Sequence, residues 1–600
     1  MPRWLWMSCV MLLLTPWAMA ADKDDESKSE KPTAQIAHMK LSGSMDEGPS
    51  SDDPLAASGE PLRAKLERIA KAAKDPKVKA LYLELDGIAT GLFSFGKLDE
   101  LHVALADFRK SGKKVYAFME AGSLGEYLIA SSADVIALPE SGALEILGLR
   151  AEISFYKDLF DKLGVKADFL HMGDYKGAAE PYTRTSMSKE NRAQYEMVID
   201  DFYQNSVLAV IAKNRPAKKW TAKQVGELID QGPFTAPEAL KNGLIDQLAY
   251  ADTFEASIIK ATGEKAEIVR NYGKPKSDID TSSLSGLLKL LSPPKKTKSK
   301  KPKLAVIYAV GAIESGKGGE SLMGGSSIGS TTMVEAIREA DADESVKAIV
   351  LRVDSPGGSA LASDIIWHAI QQCKKPVIAS MGDVAASGGY YISMGCKKIF
   401  AEPGTLTGSI GVVGGKFVLG GVYNKFGIQT EVITRGKNTG MLSSEAEFSE
   451  SERKAFQRSM EQIYEQFLDK ALAGRTKAGA KLTKEKLISL AGGRIWTGRQ
   501  AKEAGLVDEL GTLNDAIAEA RKQAGIGADV ELEIITSPKK VSFLESLLER
   551  DTALQITMQP LVGLVRQMPE LRSQLQQAES LFRMRNERLW LVAPAHLNLR

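Results

Sequence analysis

Six hundred residues exceed what one hydrophobic core holds, so at least two domains are expected. Apolar residues at 44% and charged residues at 26% are ordinary for a soluble globular protein, and a formal net charge of +2 supplies no field for nucleic acid. Three cysteines, one of them Cys9 near the N-terminus, cannot build a disulfide framework; five scattered histidines leave few bases for a histidine-dependent hydrolase, and no Cys/His cluster suggests a metal.

Arg3 precedes the apolar stretch WLWMSCVMLLLTPWAMA, and Ala18-Met19-Ala20 has the small-x-small form of a cleavage site. As a helix this stretch would reach about 25 Å, short of the roughly 20 residues a crossing helix needs. Residues 1–20 read as an export segment, either a cleavable signal or a retained anchor. Residues 21–34, with DKDDESKSEKP, read as a charged tether that cannot bury a core.

Residues 35–274 form a first unit. A helical stretch (LRAKLERIAKAA) leads to a β-branched run (VKALYLEL), a second helix (KLDELHVALADFRKSG) and another short apolar run (VYAFM). Residues 275–303, rich in Ser, Pro and Lys, read as a linker whose lysines are solvated. Residues 304–540 repeat the same order with MVEAIREADA, VKAIVLRV, LASDIIWHAIQQC and VIASM. Strands alternating with helices at this spacing predict a parallel sheet with helical cover. Residues 541–600 read as an amphipathic extension, serving as a packing or oligomer arm or a membrane-surface element, or else poorly ordered.

The two units align directly. DPKVKALYLELDG (75–87) matches DESVKAIVLRVDS (343–355), the segment 113–144 matches 374–406, and YKDLFDKLGVKADFL (156–170) matches GGVYNKFGIQTEVI (420–433). One offset, near 263 to 268, holds throughout, which predicts one fold used twice.

Sites in α/β sheets gather at the carboxyl ends of strands. In the second unit one strand ends in DSPGG (354–358) and the next delivers VAASGGY, so a Gly-Gly pair and Ser387 converge. Each motif alone also reads as a turn or a close helix contact; together they point to a nucleophile with backbone donors from Gly357 or Gly358 and from Gly388. The first unit is an internal control. It has Leu124 where the second has Ser387, and DGIATG in place of DSPGG. No histidine lies in either motif, and His368 reads as a partly buried structural residue. A lysine can serve as base once burial depresses its ordinary pKa of about 10.4. Lys176 in GDYKGAAEPYTR and Lys437 in TRGKNTGMLSS both qualify, and spacing does not choose between them.

DSPGG (354–358), AASGGYYIS (385–393), LTGSIGV (406–412) and YKGAAEP (175–181) together resemble the long form of the signal peptide peptidase A family, also called protease IV, and the resemblance runs from about residue 35 to 535. It implies an α/β fold, a tandem repeat of two Clp-protease-like or crotonase-like domains built of ββα superhelix units. It also implies a serine–lysine dyad peptidase needing no metal, ATP or other cofactor. Such an enzyme sits at the bacterial inner membrane facing the periplasm, digests cleaved signal peptides and forms a homotetramer. By position Ser387 would be the nucleophile and Lys176 the general base, with Lys437 as runner-up. Ser409 would hydrogen-bond the lysine; the first unit has Glu145 near that position. The cleavage-like leader and the extension 541–600 depart from the family pattern. The alternatives are an inactive scaffold of the same fold and a crotonase-type acyl-CoA enzyme.

Overall fold

The computed structural model describes residues 34–49, 60–89, 94–263, 265–274, 301–320, 326–538, 589–592 and 598–599. The expectations for the leader, for the tether up to residue 33, for linker residues 275–300 and for residues 539–588 lie outside the described residues.

Each half is built on one parallel sheet. In the first half the strand order is Gln247–Leu248, Val135–Leu138, Lys114–Phe118, Val78–Ala89, Ala34–Ser44, Ala266–Val269. The second half repeats that order with Glu509–Leu510, Lys398–Ala401, Val377–Ala386, Val346–Ser355, Lys303–Val310, Glu533–Ser537. Helices cover both faces, so strands such as Val346–Ser355 are buried almost continuously rather than alternately. That is why they read as unbroken apolar runs.

The repetition extends to single hydrogen bonds. Tyr127 Oη donates to the Leu244 carbonyl at 3.0 Å, and Tyr390 Oη donates to that of Leu506 at 2.9 Å. Arg215 pairs with Asp246, and Arg475 with Asp508, each at 2.5 Å. Lys113 donates to the last carbonyls of the helix Leu62–Lys74, and Lys375 to the Ala340 carbonyl near the end of the helix Ser330–Ala342.

The halves are joined by a charged seam and a shared sheet. In the seam Arg352, fully buried, meets Glu47 at 2.6 Å and Glu100 at 3.0 Å from the first half, and Glu402 at 3.7 Å from its own. Lys97, from the first-half helix Phe95–Lys110, bonds Asp383 at 2.9 Å and Asp354 at 3.2 Å. The shared sheet runs Gly318–Glu320, Ser326–Gly329, Ala312–Glu314, Gly357–Ser359, Trp590–Val592, Val412–Val418, Lys166–Met172. Lys166–Met172 from the first half pairs antiparallel with Val412–Val418 from the second.

One break in the repeat concerns a strand. The first-half strand Lys166–Met172 predicts a strand at 428–433, yet those residues form none and are exposed. The physical reason is pairing: the first-half strand has a partner in the other half, and its copy has none within the described chain.

Candidate functional site

The strand Val377–Ala386 runs directly into Ser387, which caps the short helix Gly388–Ser393. Ser387 has φ 56° and ψ −111°, in the left-handed range that side chains rarely adopt. Such backbone costs on the order of 1–3 kcal/mol and persists only where the surroundings hold it. Here the Ser387 N–H donates to the Gly408 carbonyl at 2.8 Å and its carbonyl accepts from Tyr391 at 2.8 Å. The serine is thus turned out of the strand line by neighbours on both sides. In the first half, Leu124 lies inside an ordinary capped helix, Leu124–Ser131, with Ser123 at φ −78°. The elbow is lost with the hydroxyl.

Lys176 comes from the first half, 211 positions away from Ser387 in the chain, and reaches the same point. Its Nζ donates to Ser387 Oγ at 2.7 Å, to the Ser409 carbonyl at 2.9 Å and to Ser409 Oγ at 3.0 Å. All three residues are buried. Two packing features bring the loop in. A Cβ on Gly493 (φ +85°) would stand 2.5 Å from Lys176 Cα, so only glycine admits the lysine backbone there. Gln194 then clamps the loop, donating to the Tyr175 carbonyl at 2.9 Å while accepting from the Ile495 N–H at 3.1 Å.

Burial pushes the Lys176 amine well below its ordinary value. No carboxylate pairs with it among the described residues, so nothing restores the charged form. A lysine amine lowered in this way, set against a serine hydroxyl with a second hydroxyl fixing its position, has the arrangement a proton acceptor beside a nucleophile requires.

Gly357 (φ +99°) packs against the serine turn; a Cβ on it would lie 2.6 Å from the Gly388 nitrogen. A Cβ on Gly388 would lie 3.1 Å from the Gly358 nitrogen. The three glycines therefore converge beside Ser387. The Gly357 N–H already donates to Ser355 Oγ at 3.1 Å. Lys437 is exposed and far from this buried environment in character, and His368 is exposed rather than partly buried, because it faces out from the helix Ala360–Gln372. Glu145 falls in the register position of Gly408, next to that of Ser409, and is exposed.

Sequence reasoning missed three groups. The Arg352 seam was hidden because its partners come from both halves. Lys97 ties Asp354 and Asp383, which lie on the two strands that end at the Gly-Gly turn and at Ser387; the acidic D of DSPGG was its only signal. The strand Trp590–Val592 pairs antiparallel with Gly357–Ser359, directly against the glycine turn.

Residues 107–263 and 369–527 match the family described as "Peptidase family S49", and residues 327–406 match "Clp protease". The chain is 33% identical to "Serine protease SPPA, chloroplastic" of Arabidopsis thaliana, over 82% of this chain and 70% of that protein. It is 32% identical to "Protease 4" of Salmonella typhi, over 90% of this chain and 85% of that one. "Protease 4" of Haemophilus influenzae is 32% identical over 76% of this chain and 71% of its own length.

Proposed function

The chain belongs to peptidase family S49 and is a serine peptidase, and from that premise we propose that it works as a Ser387/Lys176 dyad endopeptidase on extended apolar peptides, cleaved signal peptides above all. The observation that carries the reading is the 2.7 Å contact of a buried, unpaired lysine amine with a buried serine hydroxyl.

In the proposed mechanism neutral Lys176 takes the Ser387 proton as Oγ bonds to the peptide carbonyl carbon. The carbonyl oxygen becomes an oxyanion held by the N–H of Gly388 and of Gly357 or Gly358, each donor worth about 3–4 kcal/mol. Lys176 then protonates the leaving amine, the C–N bond breaks, and an acyl ester remains on Ser387. Water attacks that ester, giving its proton to Lys176, and the ester Oγ leaves and takes the proton back. Ser409 holds the amine in line. The peptidase relatives over most of the chain weigh against the inactive-scaffold and acyl-CoA alternatives.

Attachment to the inner membrane on its periplasmic side is assigned to residues 1–20; no described helix is long and apolar enough to cross a membrane. The proposed domain plan is a first half supplying the base, a linker, and a second half supplying nucleophile and oxyanion donors. A homotetramer completes the reading, supported by the unpaired apolar segment around 426–433.

Hydrolysis of a fluorogenic apolar peptide tests the dyad. Ser387→Ala and Lys176→Ala should each lose at least about a thousandfold in kcat/KM, while Lys437→Ala stays active. Full activity in Ser387→Ala, or a dead Lys437→Ala beside an active Lys176→Ala, would sink the proposal.

A further inference from the structure

The strand Trp590–Val592 occupies a gap at the site. It runs antiparallel to Gly357–Ser359 in the register Gly357 with Val592, Gly358 with Leu591 and Ser359 with Trp590. Its other side pairs with Val412–Val418 at Val413. The Ala360 N–H adds a bond to the Leu589 carbonyl at 3.1 Å. Without this strand, the edge carrying the Gly-Gly turn would be open for an extended chain to add itself by main-chain bonds.

The side chains alternate as a bound peptide's would. Leu589 and Leu591 enter the second-half core, and Leu591 is fully buried. Trp590 packs on the other face with Ala178 and Ala179, which follow Lys176, and lies 5.7 Å from the Phe169 ring. The direction is the one expected of residues that precede a cut at Ser387. The strand enters at Leu589 and its C-terminal end, Val592, lies opposite Gly357, which packs on Gly388 beside Ser387. A Cβ on Gly357 would meet the Leu591 carbonyl oxygen at 1.9 Å, so the turn is bare where the strand lies. The Lys176–Ser387 bond is intact beneath it. In sequence the strand leads into Val592-Ala593-Pro594-Ala595, the same apolar-then-small-x-small order as the end of the leader, Trp17-Ala18-Met19-Ala20.

We infer that Leu589–Val592 is a tethered occupant of the peptide-binding cleft, seated in the subsites for the residues that precede the cut. The cleft takes an extended peptide antiparallel to Gly357–Ser359. One deep apolar subsite holds the Leu591 side chain, and a shallower one, shared by both halves, holds that of Trp590. The tail competes with substrate for these subsites. This rests on the placing of the reaction at Ser387.

Attachment makes the tail's binding intramolecular, and a tail seated about nine-tenths of the time weakens a free peptide roughly tenfold. The test uses a labelled peptide of the sequence LWLVAPA and the Ser387→Ala protein, so that binding is read without turnover. Ending that protein after Arg588, or introducing Leu591→Asp in the full chain, should tighten peptide binding by about tenfold, read by fluorescence anisotropy. In the Ser387-containing protein the same truncation should lower KM by a similar factor. Unchanged affinity in both variants overturns the inference. So does lost affinity in variants whose melting temperature is retained, since the strand would then be a structural part of the sheet. The binding arm does not depend on turnover, so a failed dyad would show in the hydrolysis arm alone.

Discussion

Lys176 differs from the two cations that join the halves. Arg352 has Glu47, Glu100 and Glu402 about it, and Lys97 has Asp354 and Asp383. Lys176 has two hydroxyls and a carbonyl. Carboxylates offset the burial of the first two; burial without a carboxylate pulls the third well below its ordinary value. Its folded pKa lies below the unfolded one, so the unfolded chain binds the extra proton and stability rises with pH up to the ordinary lysine range. Lys176→Met should therefore raise the melting temperature, and by more at about pH 7 than at about pH 9. Equal gains at both pH values would mean that the lysine is charged in the fold. The same sign sets activity. The acid limb of kcat/KM should rise with pH and level off well below 10.5, the ordinary lysine value. Ser387 was legible because its signal is local, a serine among glycines after an apolar run. Lys176 was legible as one of two candidates, and its family resemblance, not its spacing, separated it from Lys437.

Among the elements, the strand Val346–Ser355 and the helix Phe95–Lys110 carry the joint between the halves. Arg352 is fully buried and also donates to Ser380 Oγ at 2.9 Å. Burial and the neighbouring Glu100 push the Glu402 carboxyl well above its usual range beside Arg352. Asp383 and Asp99, on the same joint, are pushed up to about 7 by burial. Removing one partner of such a cluster leaves uncompensated charge, a loss of about 3–5 kcal/mol. Arg352→Met should destabilise by that amount in urea melts, and a change below about 1 kcal/mol would mean that the seam is dispensable. The elements themselves were largely readable. VKAIVLRV, LASDIIWHAIQQC and VIASM became Val346–Ser355, Ala360–Gln372 and Val377–Ala386. The arginine inside the first run gave no hint of its partners, since opposite charges from distant segments carry no local pattern.

For the whole molecule, the internal repeat has a consequence at its ends. Lys166–Met172 is paired across the halves, while its counterpart leaves Phe426 78%, Ile428 52%, Val432 65% and Ile433 87% exposed. An apolar row of this kind marks an interaction surface, and the same half-to-half contact made with a second copy would cover it. If the proposed homotetramer is held by this contact, Phe426→Asp combined with Ile433→Asp should lower the solution mass by light scattering about fourfold. An unchanged mass would rule out this segment as the contact.

The sequence by itself determined the repeated half, the parallel sheet in each and the convergence of Ser387 with its glycines. Those rest on apolar periodicity, strand-helix alternation and backbone freedom, which act over a few residues. Only the tertiary structure decided that Lys176 meets Ser387 under full burial, that Arg352 locks the halves, and that Trp590–Val592 lies across the glycine turn. Each of these joins segments that are far apart in the chain, through burial and main-chain pairing, and neither leaves a signature in the order of residues.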